Sequence, residues 1–450
     1  MDSKRIPLVV AECSFRSFAL IILVLHILCQ KTEAQFASRF SLAVGEEYND
    51  NIFFTKSKTH DFITNITPTF SIIYQPPSAS FTTFNLNISP RGQIYALHPE
   101  ENNFGDGLNI NGGYIYQYSP RLDFQVQETF QTIGRTLTGN SSAQPPSTPT
   151  GPPVPGAPVS SVNLAHFIPN GRTLSNNLSV TGTYRYTPNI TFSGGYTNGF
   201  VNFLNQGGTD INNYIGVRGT YKWGLEHNLY AGYSVNILKS RNNGDSVVQN
   251  FDIGDNYFSN TLIQLTPTLT LAFSTGISLN TSSQGPRIAN NTKVQLTKVW
   301  EKASFRAGVS KGLTSSYGVS GVSDTIDLFT SFNVRLADRL SGNAGADYSF
   351  FNTDNVNFKP LRVYGDLQYG ITRWLCSSLN YTHRRLFSGS GGQNTVLHTQ
   401  GNVHGNSLFL LFSARFDIWP SLGLAQGQGC AATALAGTPQ FPQGSQGPRP

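Results

Sequence analysis

Three histidines near the C-terminus, His383, His398 and His404, are where acid–base or nucleophilic chemistry would first be sought. A catalytic histidine needs a nucleophile or carboxylate within hydrogen-bond reach, held by a third group. No carboxylate is patterned beside these three, so surface or packing roles suit them better. The four cysteines, Cys13, Cys29, Cys376 and Cys430, form no CxxC, CxxCH or Cys/His cluster, so no zinc site, c-type haem or other metal or cofactor is expected. The glycine-rich run Ser388-Gly-Ser-Gly-Gly392 follows a strand pattern and opens no helix, which argues against a phosphate loop. The sequence therefore points away from an enzyme.

A different set of residues has a regular spacing. Arg39, Glu47, Asp123, Arg185, Arg218, Lys222, Arg306, Asp327, Arg335, Asp347, Arg362, Asp366, Arg384 and Arg415 each alternate with apolar neighbours. Leu178 to Phe203, LSVTGTYRYTPNITFSGGYTNGFVNF, shows the pattern. Val180, Gly182, Tyr184 and Tyr186 share one parity, and Thr181, Thr183 and Arg185 the other. A period of two belongs to a strand with one apolar and one polar face. Pro188 breaks the alternation; it fixes φ and lacks a donor, which suits a tight turn. Alternation then resumes with Ile190, Phe192 and Tyr196.

Hairpins of this kind recur along the chain. Composition says what their apolar face meets. Charged residues are only 12% and aromatics reach 12%, with 19 Tyr and 31 Phe, yet mean hydropathy is -0.21. Helical membrane proteins concentrate apolar residues in runs of about 20; here they are interleaved with Ser, Thr, Asn and Gly. A lipid-facing β-barrel with aromatic girdles fits. The net charge of +6 is spread along the chain, so nucleic acid is not an expected partner.

The expected fold is all-β: a closed antiparallel up-and-down transmembrane barrel of about 16 to 18 strands. Short periplasmic turns fall at Gln75 to Ser78, Ser119 to Arg121, Thr187 to Asn189, Trp223 to Glu226, Thr266 to Thr268, Glu301-Lys302, Ala337 to Arg339 and Thr372-Arg373. Longer polar external loops fall at Asn205 to Asn212, Lys239 to Asp255, Thr281 to Asn291, Ser316 to Ser323, Asn352 to Asn357 and Ser388 to Asn394. That alternation suits an outer-membrane barrel.

The apolar run Ser17 to Cys29 after Lys4, Arg5 and Arg16 reads as the core of a signal peptide over residues 1–34, too short to span a bilayer comfortably. The barrel is expected over 35–419, with a proline-rich external loop at 134–172. Residues 420–450 read as a disordered low-complexity tail.

Leu42 to Thr55, LAVGEEYNDNIFFT, resembles the opening strand of a β-barrel porin family of Gram-negative bacteria. The turn units Tyr118 to Leu122 (YSPRL), Tyr186 to Ile190 (YTPNI) and Leu265 to Leu269 (LTPTL) are similar to hairpins of that family. The apolar alternation Ser407 to Phe416, ending on an aromatic, resembles the C-terminal assembly signal of outer-membrane proteins. The resemblance implies residence in the bacterial outer membrane and contact with its lipid and its assembly machinery. It also implies an association with exopolysaccharide biosynthesis and no catalytic residues.

If the apolar parity meets lipid, the fourteen charged residues face the lumen, where basic groups outnumber acids. The expected function is a porin-like channel with a wet, mildly anion-favouring lumen, associated with surface polysaccharide export. The alternative is a structural or adhesive barrel with a plugged lumen and working external loops. Tyr364 and Phe409 could give a sugar-stacking track, although packing explains such aromatics as well.

Overall fold

The computed structural model describes residues 36–74, 82–104, 107–133, 173–204, 208–224, 227–240, 245–258, 269–282, 285–315, 322–352, 357–388 and 402–417. The signal-peptide, proline-rich-loop and tail expectations fall outside them, as do His398 and the turns at 75–78, 225–226 and 266–268.

The strands are β1 Phe36–Asn49, β2 Asp61–Tyr74, β3 Thr82–Ser89, β4 Gly92–Tyr95, β5 Asn103–Phe104, β6 Asn109–Ser119, β7 Leu122–Ile133, β8 Thr173–Arg185, β9 Ile190–Phe203 and β10 Thr209–Trp223. They continue as β11 His227–Ser240, β12 Ser246–Phe258, β13 Leu269–Ser282, β14 Gly285–Val299, β15 Ala303–Ser315, β16 Val322–Ala337, β17 Leu340–Asn352, β18 Asn357–Gly370, β19 Leu375–Ser388 and β20 Val403–Asp417. β3 and β4 are one barrel strand in two pieces. Both pair with β2 in a single register, and the ladder lapses where Pro68 and Pro90 stand opposite each other, since neither has an N–H to give. β5 pairs with β4 on the side where β6 pairs with β3, so β5 and β6 are likewise one barrel strand in two pieces. The barrel therefore has 18 strands, each antiparallel to its neighbours, and β1 closes on β20 from Arg39↔Asp417 to Asn49↔Ser407. Closure pairs every backbone group that would otherwise meet lipid unsatisfied, a cost of several kcal/mol each.

The period-two pattern decides which face meets lipid. Val44, Tyr48, Phe192, Ile215, Val217, Ile253, Ile277, Leu328 and Phe412 are exposed on the outer face. Their sequence neighbours, such as Glu47, Asp252, Ser278 and Asp327, are buried on the inner face. Tyr118, Tyr184, Tyr186, Tyr221, Trp223, Trp300, Tyr369, Trp374 and Phe416 form an exposed belt at the short-turn end, where amphipathic rings sit at a membrane interface.

The short turns are capped by hydroxyls. Ser119 Oγ accepts from the N–H groups of Arg121 and Leu122, Thr187 Oγ1 from those of Asn189 and Ile190, and Thr372 Oγ1 from those of Trp374 and Leu375. Gly224 (φ 68°) supplies a left-handed residue where β10 ends.

Three expected external loops are shorter than the sequence pattern suggested. β12 begins at Ser246, inside the expected loop Lys239 to Asp255. β14 begins at Gly285, inside Thr281 to Asn291. β10 begins at Thr209, inside Asn205 to Asn212. Thr209 to Asn212 and Gly285 to Asn291 are largely polar, so periodicity is weak there, whereas Ser246 to Asp255 alternates Phe251 and Ile253 outward with Asn250 and Asp252 inward; the ladders to β11, β13 and β9 continue in all three.

Candidate functional site: the inner wall and the external mouth

The fourteen charged residues singled out above stand at the parity opposite to the exposed apolar side chains of their strands. Register decides which of them meet. Asp347 (β17) faces Arg362 (β18), and Arg362 faces Arg384 (β19). Arg362 Nε and Nη2 donate to Asp347 Oδ2 at 3.0 and 2.5 Å, and the guanidinium lies over the Tyr364 ring, 4.9 Å from its centroid. Asp327 accepts a hydrogen bond from Ser349 Oγ. Arg185 pairs with Asp123 at 2.9 Å, and Arg335 with Asp338 at 3.3 Å beside a short turn. Arg218 pairs with Asp252 at 3.2 Å. These pairs run along the wall, between residues on neighbouring or next-neighbouring strands or within one turn.

Not every basic group is matched in this way. Lys293 on β14 lies within electrostatic range of Arg306 on β15 and of Arg218, and neither Lys293 nor Arg306 has a carboxylate partner among the described residues. Lys222, near a short turn, is exposed. Asp366 shares a hydrogen bond with Gln368. Arg39 and Arg415 stand near the closing edge of β1 and β20, Arg415 opposite Ser41.

The external end is built differently. The connection from β1 to β2 folds inward. The Asn51 side chain donates to the carbonyls of Thr55 (2.7 Å) and His404 (2.9 Å) and accepts from the Thr55 N–H (3.0 Å). Asp50 accepts from the backbone N–H (2.6 Å) and side-chain amide (2.8 Å) of Asn406, and from Lys58 Nζ (2.7 Å). Desolvation works against the Asp50 carboxylate, yet the Lys58 and Asn406 donors prevail and hold its pKa below the usual value.

This double anchor swings Phe54 into a left-handed backbone (φ 48°) and buries its ring to 4% exposure. The ring rests where Gly405 presents no side chain: a Cβ there would lie 3.5 Å from Phe54 Cδ2. The Arg384 guanidinium sits 5.1 Å from the Phe54 centroid. Fully buried Glu47 stands near both Arg384 and Arg91. Ile52 packs with Ile63 and Tyr95 under the same loop. Asp61 accepts from the N–H groups of Ala96 and Leu97, and His98 Nδ1 lies 2.8 Å from its carboxylate.

Several wall residues escaped the sequence reading. Lys293 alternates with Gln295 and Thr297 against Val294 and Leu296, so its parity was legible. Asp252 lay in a stretch read as loop, and Arg91 in the break between β3 and β4. His383 and His404 both stand on the outer face, His383 bonded to Asn406 Oδ1 at 2.8 Å, so they form no catalytic constellation with a lumenal group.

No protein-family model matches the sequence, and no curated protein matches it. Among solved structures, Pseudomonas aeruginosa OccK2 (OpdF) in complex with glucuronate is similar at 10% identity and a TM-score of 0.46, covering 85% of this chain and 98% of that one. The outer membrane protein OpdK of the same organism is similar at 12% identity and a TM-score of 0.44, covering 85% and 99%. OccAB3 of Acinetobacter baumannii is similar at 10% identity and a TM-score of 0.43, covering 85% and 99%. At such identities and scores these likenesses carry nothing about what crosses the barrel described here.

Proposed function

We propose that this chain is a porin-like channel of a Gram-negative outer membrane, exported by its N-terminal signal peptide, passing small polar solutes with a preference for anions. One observation carries the preference. On an inner wall where Arg218 and Arg362 have carboxylate partners, Lys293 and Arg306 lie within electrostatic range of each other and neither has one among the described residues. Unmatched fixed charge on a wet wall concentrates counter-ions and sets selectivity. The channel needs no catalytic group. The test is conductance of the refolded full chain in planar bilayers under a salt gradient. A reversal potential on the anion side is expected; no conductance, or a cation preference, would discard the reading.

A second reading, a structural or adhesive barrel with a plugged lumen, has one observation behind it: the inward-folded first loop, with Phe54 lodged over Gly405 beside Arg384. It predicts conductance only after residues 52–59 are replaced by a short glycine-serine linker. The association with polysaccharide export rests on the resemblance of Leu42 to Thr55 and of the YSPRL and YTPNI hairpins. Loss of surface polysaccharide on deletion of the gene, restored by complementation, would support it.

A further inference from the structure

The outer face at the external end of β18, β19 and β20 departs from the apolar band beneath it. Lys359, Arg385 and His404 stand at outward parity there, just beyond the exposed apolar residues Val363, Tyr381 and Leu408. Register places them side by side. Arg385 faces His404 on one side and Leu361 on the other, and Lys359 faces Phe387. Lys359 and Arg385 are therefore diagonal neighbours, about 7 Å apart.

Both cations are braced by aromatic rings. Lys359 Nζ lies 5.4 Å from the Phe350 centroid, and the Arg385 guanidinium 4.3 Å from that of Phe387. Stacking holds each charge at a fixed height while leaving its N–H groups open. Arg385 Nε is buried and has no hydrogen-bond partner among the described residues. His404 also lies within electrostatic reach of Arg385, His383 and Lys58. The carboxylate in that company, Asp50, is already committed to Lys58 and Asn406. Asp324, at outward parity opposite Asn352, stands two strands from Lys359.

Cations on a lipid-facing surface are costly in hydrocarbon and favourable at an anionic headgroup layer. A phosphate monoester has acceptor oxygens enough for Arg385, Lys359 and His404 together. The attached acyl chains would lie on the apolar strands below. We infer that Lys359, Arg385 and His404 form a binding site for the phosphorylated headgroup of an outer-leaflet glycolipid. The inference rests on the outer-membrane reading above, which fixes this end as external.

The test uses the refolded full chain in detergent, with native mass spectrometry and bisphosphorylated lipid A as probe. The wild type should retain it, and the triple variant Lys359→Gln, Arg385→Gln, His404→Gln should bind roughly ten-fold more weakly or less. The charge-keeping pair Lys359→Arg and Arg385→Lys should restore retention, and heat-modifiable gel mobility confirms that each variant is folded. Equal retention of dephosphorylated lipid A, or no difference between wild type and the triple variant, would overturn the site. Displacement of lipid A by equimolar inorganic phosphate would show a soluble-anion site and overturn the lipid assignment. Failure of the wild type to insert into liposomes would sink the outer-membrane reading instead, so the two failures are distinct.

Discussion

Arg218 on β10 and Asp252 on β12 meet at 3.2 Å across the intervening strand because Gly232 leaves the space between them empty. Both residues are in register with Gly232. A Cβ on that glycine would fall 2.6 Å from Asp252 Oδ1 and 3.4 Å from the Val217 carbonyl oxygen. The bridge thus spans two strand spacings, and Arg218 also lies over the Tyr230 ring at 4.2 Å. Gly232→Val should push Asp252 aside and destabilise the barrel by about 1–3 kcal/mol through overpacking. Equilibrium unfolding in urea, followed by gel mobility, measures it; an unchanged midpoint would mean the bridge does not depend on the gap.

Asp252→Asn removes the negative partner and leaves Arg218, within electrostatic range of Lys293, with its charge unmatched. The anion-to-cation permeability ratio should rise about two-fold or more, while Lys293→Gln with Arg306→Gln should lower it by a similar factor. Reversal potentials in a salt gradient read both. Identical ratios in all three proteins would show that this part of the wall does not set selectivity.

The first loop should respond to acid. The Asp50 pKa lies below its usual value, because the Lys58 and Asn406 donors outweigh desolvation. A depressed carboxylate contributes stability that is fully present above its unfolded pKa of about 4 and is lost as pH falls through the lower folded value. The anchor should hold at neutral pH and release only in strong acid. Conductance noise from loop movement should rise below about pH 4 in the wild type. Asp50→Asn should show that noise at neutral pH already.

Phe54→Ala empties the space over Gly405 and frees the Arg384 guanidinium from its ring contact. Single-channel conductance should increase by tens of per cent if this loop forms the narrowest point. Cyanogen bromide cleavage offers no route to removing the loop, since Met1 is the sole methionine, so the substitution is the cleaner probe.

The outer face should reject charge. Ile215 is 53% exposed in the middle of β10, and Ile215→Arg should cost about 2–4 kcal/mol in a lipid bilayer. In detergent, where the guanidinium reaches water more easily, the loss should shrink. Urea unfolding in both media gives the comparison, and equal losses would argue that this face does not meet lipid.

Within the membrane band the sequence alone was enough for the architecture. Val180, Gly182 and Tyr184 against Thr181, Thr183 and Arg185 name the faces, because one side meets hydrocarbon and the other water. The hydroxyl-capped turns at Ser119 and Thr187 were legible for a similar reason: their chemistry is local. Beyond the band both faces are wet, the alternation loses its contrast, and Gly285 to Asn291 reads as loop although its ladder persists; in Ser246 to Asp255 the many Ser, Gln, Asn, Gly and Asp residues mask the alternation of Phe251 and Ile253 with Asn250 and Asp252.

Tertiary structure decided who meets whom. The pairing of Arg218 with Asp252 follows from register over a glycine, and that of Arg362 with Asp347 from register between adjacent strands. The inward turn of Phe54 depends on His404, Gly405 and Asn406, over 350 residues away in sequence. Periodicity assigns each side chain to a face, since that depends only on its own strand; closure of β1 onto β20 sets the neighbours across the wall, and no local pattern encodes that.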